Sequence, residues 1–203
     1  MISKGTGYVK GGGARDRLVA HMKYIEHRSR DLERETRDDR RVFTKDEDVV
    51  SRHDAVEDIM AHEHRQVSYH KMVLSPGADE PVEDWREWTR EVMDDLEDRK
   101  GMDLTWYAVK HDNTDNPHVH VTLAGSGTNR ETGDPAIVKM YVPDYQFLDQ
   151  AGHDHSEHEW YREVGEMMKD FDRQDAAELG AREPERDLDR TDRNHDRGFD
   201  FDR

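Results

Sequence analysis

The architecture of this chain depends on one stretch, His111-Asp112-Asn113-Thr114-Asp115-Asn116-Pro117-His118-Val119-His120-Val121-Thr122-Leu123. From Pro117 onward, polar and apolar residues alternate, which predicts a β-strand over 117–124. Because successive side chains of a strand point to opposite faces, His118 and His120 should share one face, with the valines on the other. Residues 104–109 alternate in the same way. The connection between the two runs is too short for a parallel crossover, so the sequence predicts an antiparallel hairpin.

Three histidines in this stretch have the spacing H-x6-H-x-H. Neutral imidazole is the commonest metal-ligating side chain, and three imidazoles leave coordination positions for water or a substrate oxygen. A single histidine in a strand usually serves packing, but the full pattern, with a proline just before the pair, favours a metal site. We therefore expect His111, His118 and His120 to bind a divalent metal ion, Mg²⁺ or Mn²⁺. Asn113 and Asp115 are candidates for orienting the imidazoles.

The composition indicates one folded domain with a tail. The chain has 203 residues, of which 33% are hydrophobic, and its mean hydropathy is −1.18. The core should therefore be modest, and part of the chain should be unfolded. The absence of cysteine excludes a disulfide framework and a cysteine-based zinc site. No apolar run approaches transmembrane length, and residues 1–10 lack the apolar core of a signal peptide, so we expect a soluble, cytoplasmic protein.

The net charge of −17 argues against a protein that binds nucleic acid, because phosphate contacts normally need a basic surface. The acidic residues are mostly aspartate, 29 Asp against 19 Glu, and only 9 of the 31 basic residues are lysine. This balance is typical of proteins adapted to molar intracellular salt, where the screening length falls to about 3 Å. We interpret the acidic surface as that of a halophilic archaeal protein, which leaves a nucleic-acid partner open.

Apolar spacing and turn residues predict the remaining elements. The predicted helices are Ala14 to about Arg30, Ser51–His64, Pro81–Lys100, and one that begins near Ser156 and ends near Phe171. The predicted strands, besides the hairpin, are a short one within 6–13 that ends in three glycines, Gln66–Ser75 and Ile137–Val142. Together they predict an α/β (α+β two-layer) fold, with an antiparallel central sheet, helices packed on one face and the histidines on the other. We expect a domain over residues 1–173 and a disordered, charged tail over 174–203.

The histidine stretch resembles the histidine motif of HUH endonucleases, above all the relaxases that nick plasmid DNA for conjugation. The resemblance runs through most of the first 150 residues. A second match lies on the first predicted helix and comprises Ala14, Ala20, His21, Tyr24, Ile25 and Arg28. The runs 69–76 and 104–114 are also similar to relaxase segments. The resemblance implies an HUH-type sheet with the histidines on a central strand.

This resemblance implies a catalytic role for Tyr24 as the nucleophile that forms a 5′-phosphotyrosine link. The implied partner is single-stranded DNA at an origin of transfer or replication, with coupling or accessory proteins as further partners. Arg15, Arg28 and Lys139 are candidate phosphate contacts. Many relaxases carry Asp at the position of Asn113, which weakens any role for that side chain as a base.

Two alternatives remain open at the level of sequence. A rolling-circle replication initiator usually places its tyrosine downstream of the histidines, where Tyr141, Tyr145 and Tyr161 are available. A catalytically inactive DNA-binding accessory protein would keep the fold and lose the reaction. No Gly-x4-Gly-Lys-Ser/Thr motif for ATP binding is present, so any unwinding of DNA would be the work of another protein.

Overall fold

The structure, a computed structural model, describes residues 2–27, 40–77, 82–111 and 117–156. The chain divides into two units, Met1–Glu163 and Val164–Arg203, and all described residues belong to the first. The predicted tail over 174–203 and its boundary at 173 lie outside the described residues. Within the first unit the elements form an α+β fold with antiparallel sheets, which confirms the predicted fold class.

The main sheet has four strands, and the histidine hairpin forms one half of it. Its strands in chain order are β1 (Ile2–Val9), β2 (Tyr69–Ser75), β4 (Trp106–His111) and β5 (His118–Ala124). They lie in the spatial order β1-β2-β5-β4, and all neighbours are antiparallel. A second sheet contains β3 (Met102–Asp103), β6 (Ser126–Asn129) and β7 (Pro135–Ile137) in the order β3-β6-β7.

Four helices accompany these sheets in the described residues: α1 (Ala14–His27), α2 (Arg52–Ala61), α3 (Trp85–Lys100) and α4 (residues 142–156). The Ser51 hydroxyl accepts from the Asp54 amide and caps α2. The Asp84 carboxylate caps α3 in the same way. Gly101 ends α3 in the left-handed conformation, with φ 61°, which glycine adopts without steric cost.

Helices pack on both faces of the main sheet, which corrects one detail of the prediction. On one face, called here the α3 face, Val119, Val121 and Leu123 of β5 pack with Trp88 and Val92 of α3. The opposite face carries the three histidines and is called the histidine face. A second apolar cluster on that face joins α1 and α2 to the sheet through Leu18, Met22, Ile25, Ala55, Ile59, Tyr69, Tyr107, Val109 and Ala124.

The physical reason lies in β4 rather than β5. On β5 the histidine face begins with polar residues and becomes apolar only at Ala124, so its alternation suggests a solvated face. On β4, Tyr107 and Val109 alternate with Trp106 and Ala108, and all four side chains are buried. A strand that is apolar on both sides needs cover on both sides.

The region after β5 differs most from the prediction. The strand predicted over Ile137–Val142 is wrong beyond Ile137, because α4 begins at residue 142. The predicted helix start at Ser156 is also wrong, since Ser156 already lies within α4. β6 was not predicted. Gly125 connects β5 to β6, and a Cβ placed there would lie 1.7 Å from the Val67 carbonyl oxygen, so only glycine allows this close approach.

Candidate metal centre

The β4–β5 hairpin brings the three histidines together. His111 ends β4 and pairs directly with His118 at the start of β5, while His120 pairs with Val109. These pairs place all three imidazoles on the histidine face, at one end of the sheet. His111 is fully buried, and His118 and His120 are half-buried. The shared face predicted for the histidines is therefore confirmed.

The imidazoles are close enough to share one ion. Their ring centroids are separated by 5.4 Å for His111 and His118, 4.5 Å for His111 and His120, and 4.9 Å for His118 and His120. Each residue offers a ring nitrogen, and the three nitrogens lie within 4.8 Å of one another. The Nε2 atoms of His118 and His120 are 3.2 Å apart.

The orientation of His111 is set by the last turn of α1. Its Nε2 lies 2.5 Å from the carbonyl oxygen of Ile25, a buried contact in which the ring N–H donates. This hydrogen bond fixes the tautomer of the ring, and the lone pair is then on Nδ1. A backbone carbonyl that holds one imidazole nitrogen so that the other can bind a metal is a recurring feature of metal sites.

The spacing of the ring nitrogens suits a shared metal ion. Two nitrogens that bind one ion at about 2.0–2.1 Å are separated by about 3.0–3.4 Å, which includes the distance between the Nε2 atoms of His118 and His120. Imidazole suits transition-metal ions such as Zn²⁺, Fe²⁺ and Ni²⁺. The partial exposure of His118 and His120 leaves solvent access for further ligands. The histidine triad could therefore hold a metal ion.

Tyr24 lies on α1, immediately before the residue whose carbonyl contacts His111. Its side chain is 53% exposed. Arg15 and Glu26 mark the flank of α1 that faces α2, because they pair with Glu57 and Arg52 of that helix. At 100° per residue, Tyr24 lies about 160–180° away from that flank. It therefore projects on the side of α1 that faces away from α2.

His21 occupies the same side of α1 as Tyr24. Its Nε2 is buried and has no hydrogen-bond partner among the described residues. Burial, with a smaller contribution from the Lys71 ammonium, lowers the pKa of His21 to about 4. Lys71 belongs to β2, so this side of α1 faces the β2 part of the histidine face.

Two of the predicted phosphate contacts lie away from the triad. Arg15 is in the first turn of α1, about 15 Å along the helix from Ile25, and its guanidinium is paired with Glu57. Lys139 follows Val138, whose carbonyl oxygen is 2.9 Å from Nε2 of His70 on the α3 face. The Lys139 carbonyl also accepts from Lys100 of α3. Lys139 is therefore on the side of the sheet opposite the triad.

The remaining predicted site residues, Arg28, Asn113 and Asp115, lie outside the described residues. Sequence reasoning missed three residues near the site: Ile25 as a hydrogen-bond acceptor, and the lysines Lys4 and Lys71 of β1 and β2. A backbone carbonyl has no sequence signature. Lys71 could have been found, because the alternation of β2 already separates it from Met72 and Leu74.

Comparison of the chain with models of known protein families gave no match, and comparison with curated proteins gave none either. Among the described residues, no helix has both the length and the apolar character needed to cross a membrane.

Proposed function

We propose that this chain is a metal-dependent, single-strand DNA nickase and strand transferase of the relaxase type. In this proposal His111, His118 and His120 hold a divalent ion, and Tyr24 is the nucleophile. The observation that supports it best is the position of α1. The helix that carries Tyr24 packs on the histidine face, and the Ile25 carbonyl contacts His111 directly.

The reaction breaks one phosphodiester bond and forms another in its place. The Tyr24 hydroxyl oxygen attacks phosphorus, an O–P bond to tyrosine forms, and the bond from phosphorus to the 3′ oxygen breaks. The phenolic proton ends on the departing 3′ oxygen, so no water is consumed and the same site can rejoin the strand. A divalent ion, when bound, supplies a contact to a nonbridging phosphate oxygen and offsets its negative charge. The chain's own part is to hold the three imidazoles in place and to present the phenol.

The positions of the other tyrosines favour Tyr24 over the replication-initiator arrangement. Tyr145 packs against Gly5 and the apolar cluster on the α3 face. Tyr141 lies beside Lys100, at the end of α3, with the ammonium 5.9 Å from its ring centroid. Both are on the side of the sheet opposite the triad. Tyr161 lies outside the described residues, so it remains the tyrosine to test for that alternative.

The test is a covalent adduct. Purified protein is incubated with Mn²⁺ and a pool of random-sequence, single-stranded oligonucleotides labelled at the 3′ end, and the products are separated by denaturing electrophoresis. A 5′-phosphotyrosine link transfers the 3′ label to the protein band. We expect a labelled band for the wild type and none for Tyr24→Phe, because the variant lacks the attacking oxygen.

Tyr141→Phe and Tyr161→Phe are the matched controls, since each removes one hydroxyl elsewhere in the chain. Loss of the adduct only in Tyr161→Phe would favour the initiator arrangement. A wild type that binds the oligonucleotides but forms no adduct would favour the catalytically inactive accessory protein. An adduct that survives in Tyr24→Phe would exclude Tyr24 as the nucleophile.

A further inference from the structure

Two lysines line the sheet next to the triad. We name the β1–β2 floor as the four residues Lys4, Gly7, Lys71 and Val73. Val73 pairs with His120 of β5, and Lys4 pairs with Val73 from the other side. Lys71 pairs with Thr122 and with Gly7. The floor therefore continues the row of paired residues that contains a metal ligand.

Both lysines belong to the histidine face. Ser3 and Gly5, the neighbours of Lys4, both contact Tyr145 on the α3 face. Because side chains alternate along a strand, Lys4 points to the opposite face. Lys71 pairs with Thr122, whose hydroxyl contacts Met22 of α1. It also lies close enough to His21 to act on it electrostatically.

The ammonium groups are within reach of an extended ligand, such as a single strand of nucleic acid, that passes over the triad. Lys4 is two strand spacings from His120, about 10 Å, and Lys71 is a diagonal neighbour of His120, about 7–8 Å away. Four-carbon stems cover much of these distances. Among the described residues, no carboxylate is within 4.0 Å of either ammonium. Gly7, opposite Lys71, adds no side chain, and space is open beside it.

We propose that the β1–β2 floor binds the phosphate groups of single-stranded nucleic acid on one side of the scissile phosphate. This inference rests on the proposed function. Charge complementarity supports it: in a chain of net charge −17, Lys4 and Lys71 have no carboxylate partner among the described residues and face the same side as the triad. A centre that transfers a phosphodiester bond has to hold the nucleic-acid strand on both sides of the bond that breaks. The phosphates of that strand are the anionic groups that lysines can bind there.

The test measures binding without cleavage. A fluorescein-labelled oligothymidylate of about 20 nucleotides is titrated with protein in EDTA. This length exceeds the site of about 4–16 nucleotides that a single-strand-binding OB fold covers. Fluorescence anisotropy is recorded over a series of KCl concentrations at which circular dichroism shows the folded protein. The floor variant is Lys4→Gln/Lys71→Gln. Its matched control is Lys10→Gln/Arg65→Gln, which makes the same charge change near the first turn of α1.

Each phosphate contact on a single strand contributes about 0.7 to the slope of log affinity against log salt. We expect the slope of the floor variant to be smaller than that of the wild type by about 1.4. Over a tenfold change in salt, this difference corresponds to about 25-fold in affinity. The control should lose much less. If the slope falls equally in the two variants, or does not fall in the floor variant, the β1–β2 floor does not bind the phosphates. Either result would leave the nickase proposal unaffected. A wild type that does not bind the oligonucleotide would overturn both.

Discussion

At the scale of residues, the three histidines of the triad have different surroundings. His111 is buried and held by a backbone carbonyl, whereas His118 and His120 are half-buried and face each other across 3.2 Å. A ligand that is already oriented loses little freedom when an ion binds. Because the orientation of the His111 ring is already fixed, less freedom would be lost when His111, His118 and His120 bind an ion.

The first prediction concerns metal affinity. We expect His120→Ala to weaken Mn²⁺ binding by at least about tenfold, because it removes one of three ligands. Isothermal titration calorimetry on the folded protein measures this affinity. His53→Ala, on the exposed part of α2, is the control and should bind as the wild type does. Unchanged affinity in His120→Ala would exclude the triad as the binding site.

The second prediction concerns acid stability through His21. Its pKa is lowered to about 4 by burial and by Lys71, while the unfolded chain keeps a value near 6.5. Between these two pH values the unfolded state binds more protons than the folded state. Protonation of His21 therefore leaves the free energy of unfolding unchanged above about pH 6.5 and reduces it progressively as the pH decreases toward 4. We expect a loss of up to about 2 kcal/mol between pH 7 and pH 5 from this residue.

Urea unfolding at the two pH values gives the free energy of unfolding. His21→Leu should show a smaller loss between pH 7 and pH 5, since leucine does not titrate. The same loss in both proteins would show that other groups cause the acid sensitivity.

At the scale of elements, the hairpin brings the triad together and α1 sets the orientation of His111. Met22 is buried under this helix and contacts Thr122, two residues from His120. Met93 is equally buried, but on α3 and on the opposite face of the sheet. The two methionines therefore form a matched pair for separating stability from site geometry.

The third prediction uses this pair. Met22→Ala and Met93→Ala should each destabilise the fold by about 2–5 kcal/mol, because each removes a buried side chain. Only Met22→Ala should also weaken Mn²⁺ binding, since it loosens the helix that orients His111. Thermal unfolding and calorimetry measure the two effects. Equal metal affinities in the two variants would show that the triad is formed without help from α1.

The hairpin and α3 were predictable because their patterns are local. Apolar spacing over Trp88, Val92 and Leu96 specifies a helix face, and alternation in β5 specifies which residues share a side. The position of α1 was not predictable in this way. It depends on apolar residues from β2, β4 and β5 that meet only in the folded sheet, such as Tyr69, Tyr107 and Ala124. For the same reason the sequence identified the triad but not the carbonyl that orients it.

The start of α4 was missed for a different reason. Pro143 suits the first turn of a helix, and Tyr145, Leu148 and Ala151 follow at helical spacing. The alternating residues before Pro143 suggested a strand instead. The helix start is stabilised by Asp144, which accepts from the Tyr141 amide and pairs with Arg99 and Lys100 of α3. These partners are distant in sequence, so the local pattern did not reveal them.

At the scale of the whole molecule, the acidic charge should make stability depend on salt. Raising KCl from 0.1 M to 1 M shortens the screening length from about 10 Å to about 3 Å and weakens repulsion between carboxylates. Surface ion pairs such as Arg15–Glu57 weaken as well, but they contribute little. The fourth prediction is therefore a rise in melting temperature with KCl, measured by circular dichroism.

A variant with fewer exposed carboxylates is the control for this prediction. Asp46→Asn/Glu131→Gln/Asp134→Asn neutralises three exposed side chains. It should melt at a higher temperature than the wild type in 0.1 M KCl and gain less from added salt. A melting temperature that falls as KCl rises would contradict the interpretation of the acidic surface.

The strand His118–Ala124 meets a different requirement at each end. At its beginning, His118 and His120 face a partly open site, so replacing them should leave a folded protein that no longer binds a metal ion there. Just past its end, Gly125 lies against the Val67 carbonyl with no room for a methyl group. Saturation mutagenesis scored separately for protein yield and for metal retention should therefore divide this short segment into two classes. Position 125 would tolerate no side chain of any chemistry, while positions 118 and 120 would tolerate many and bind metal with none but histidine or a close substitute.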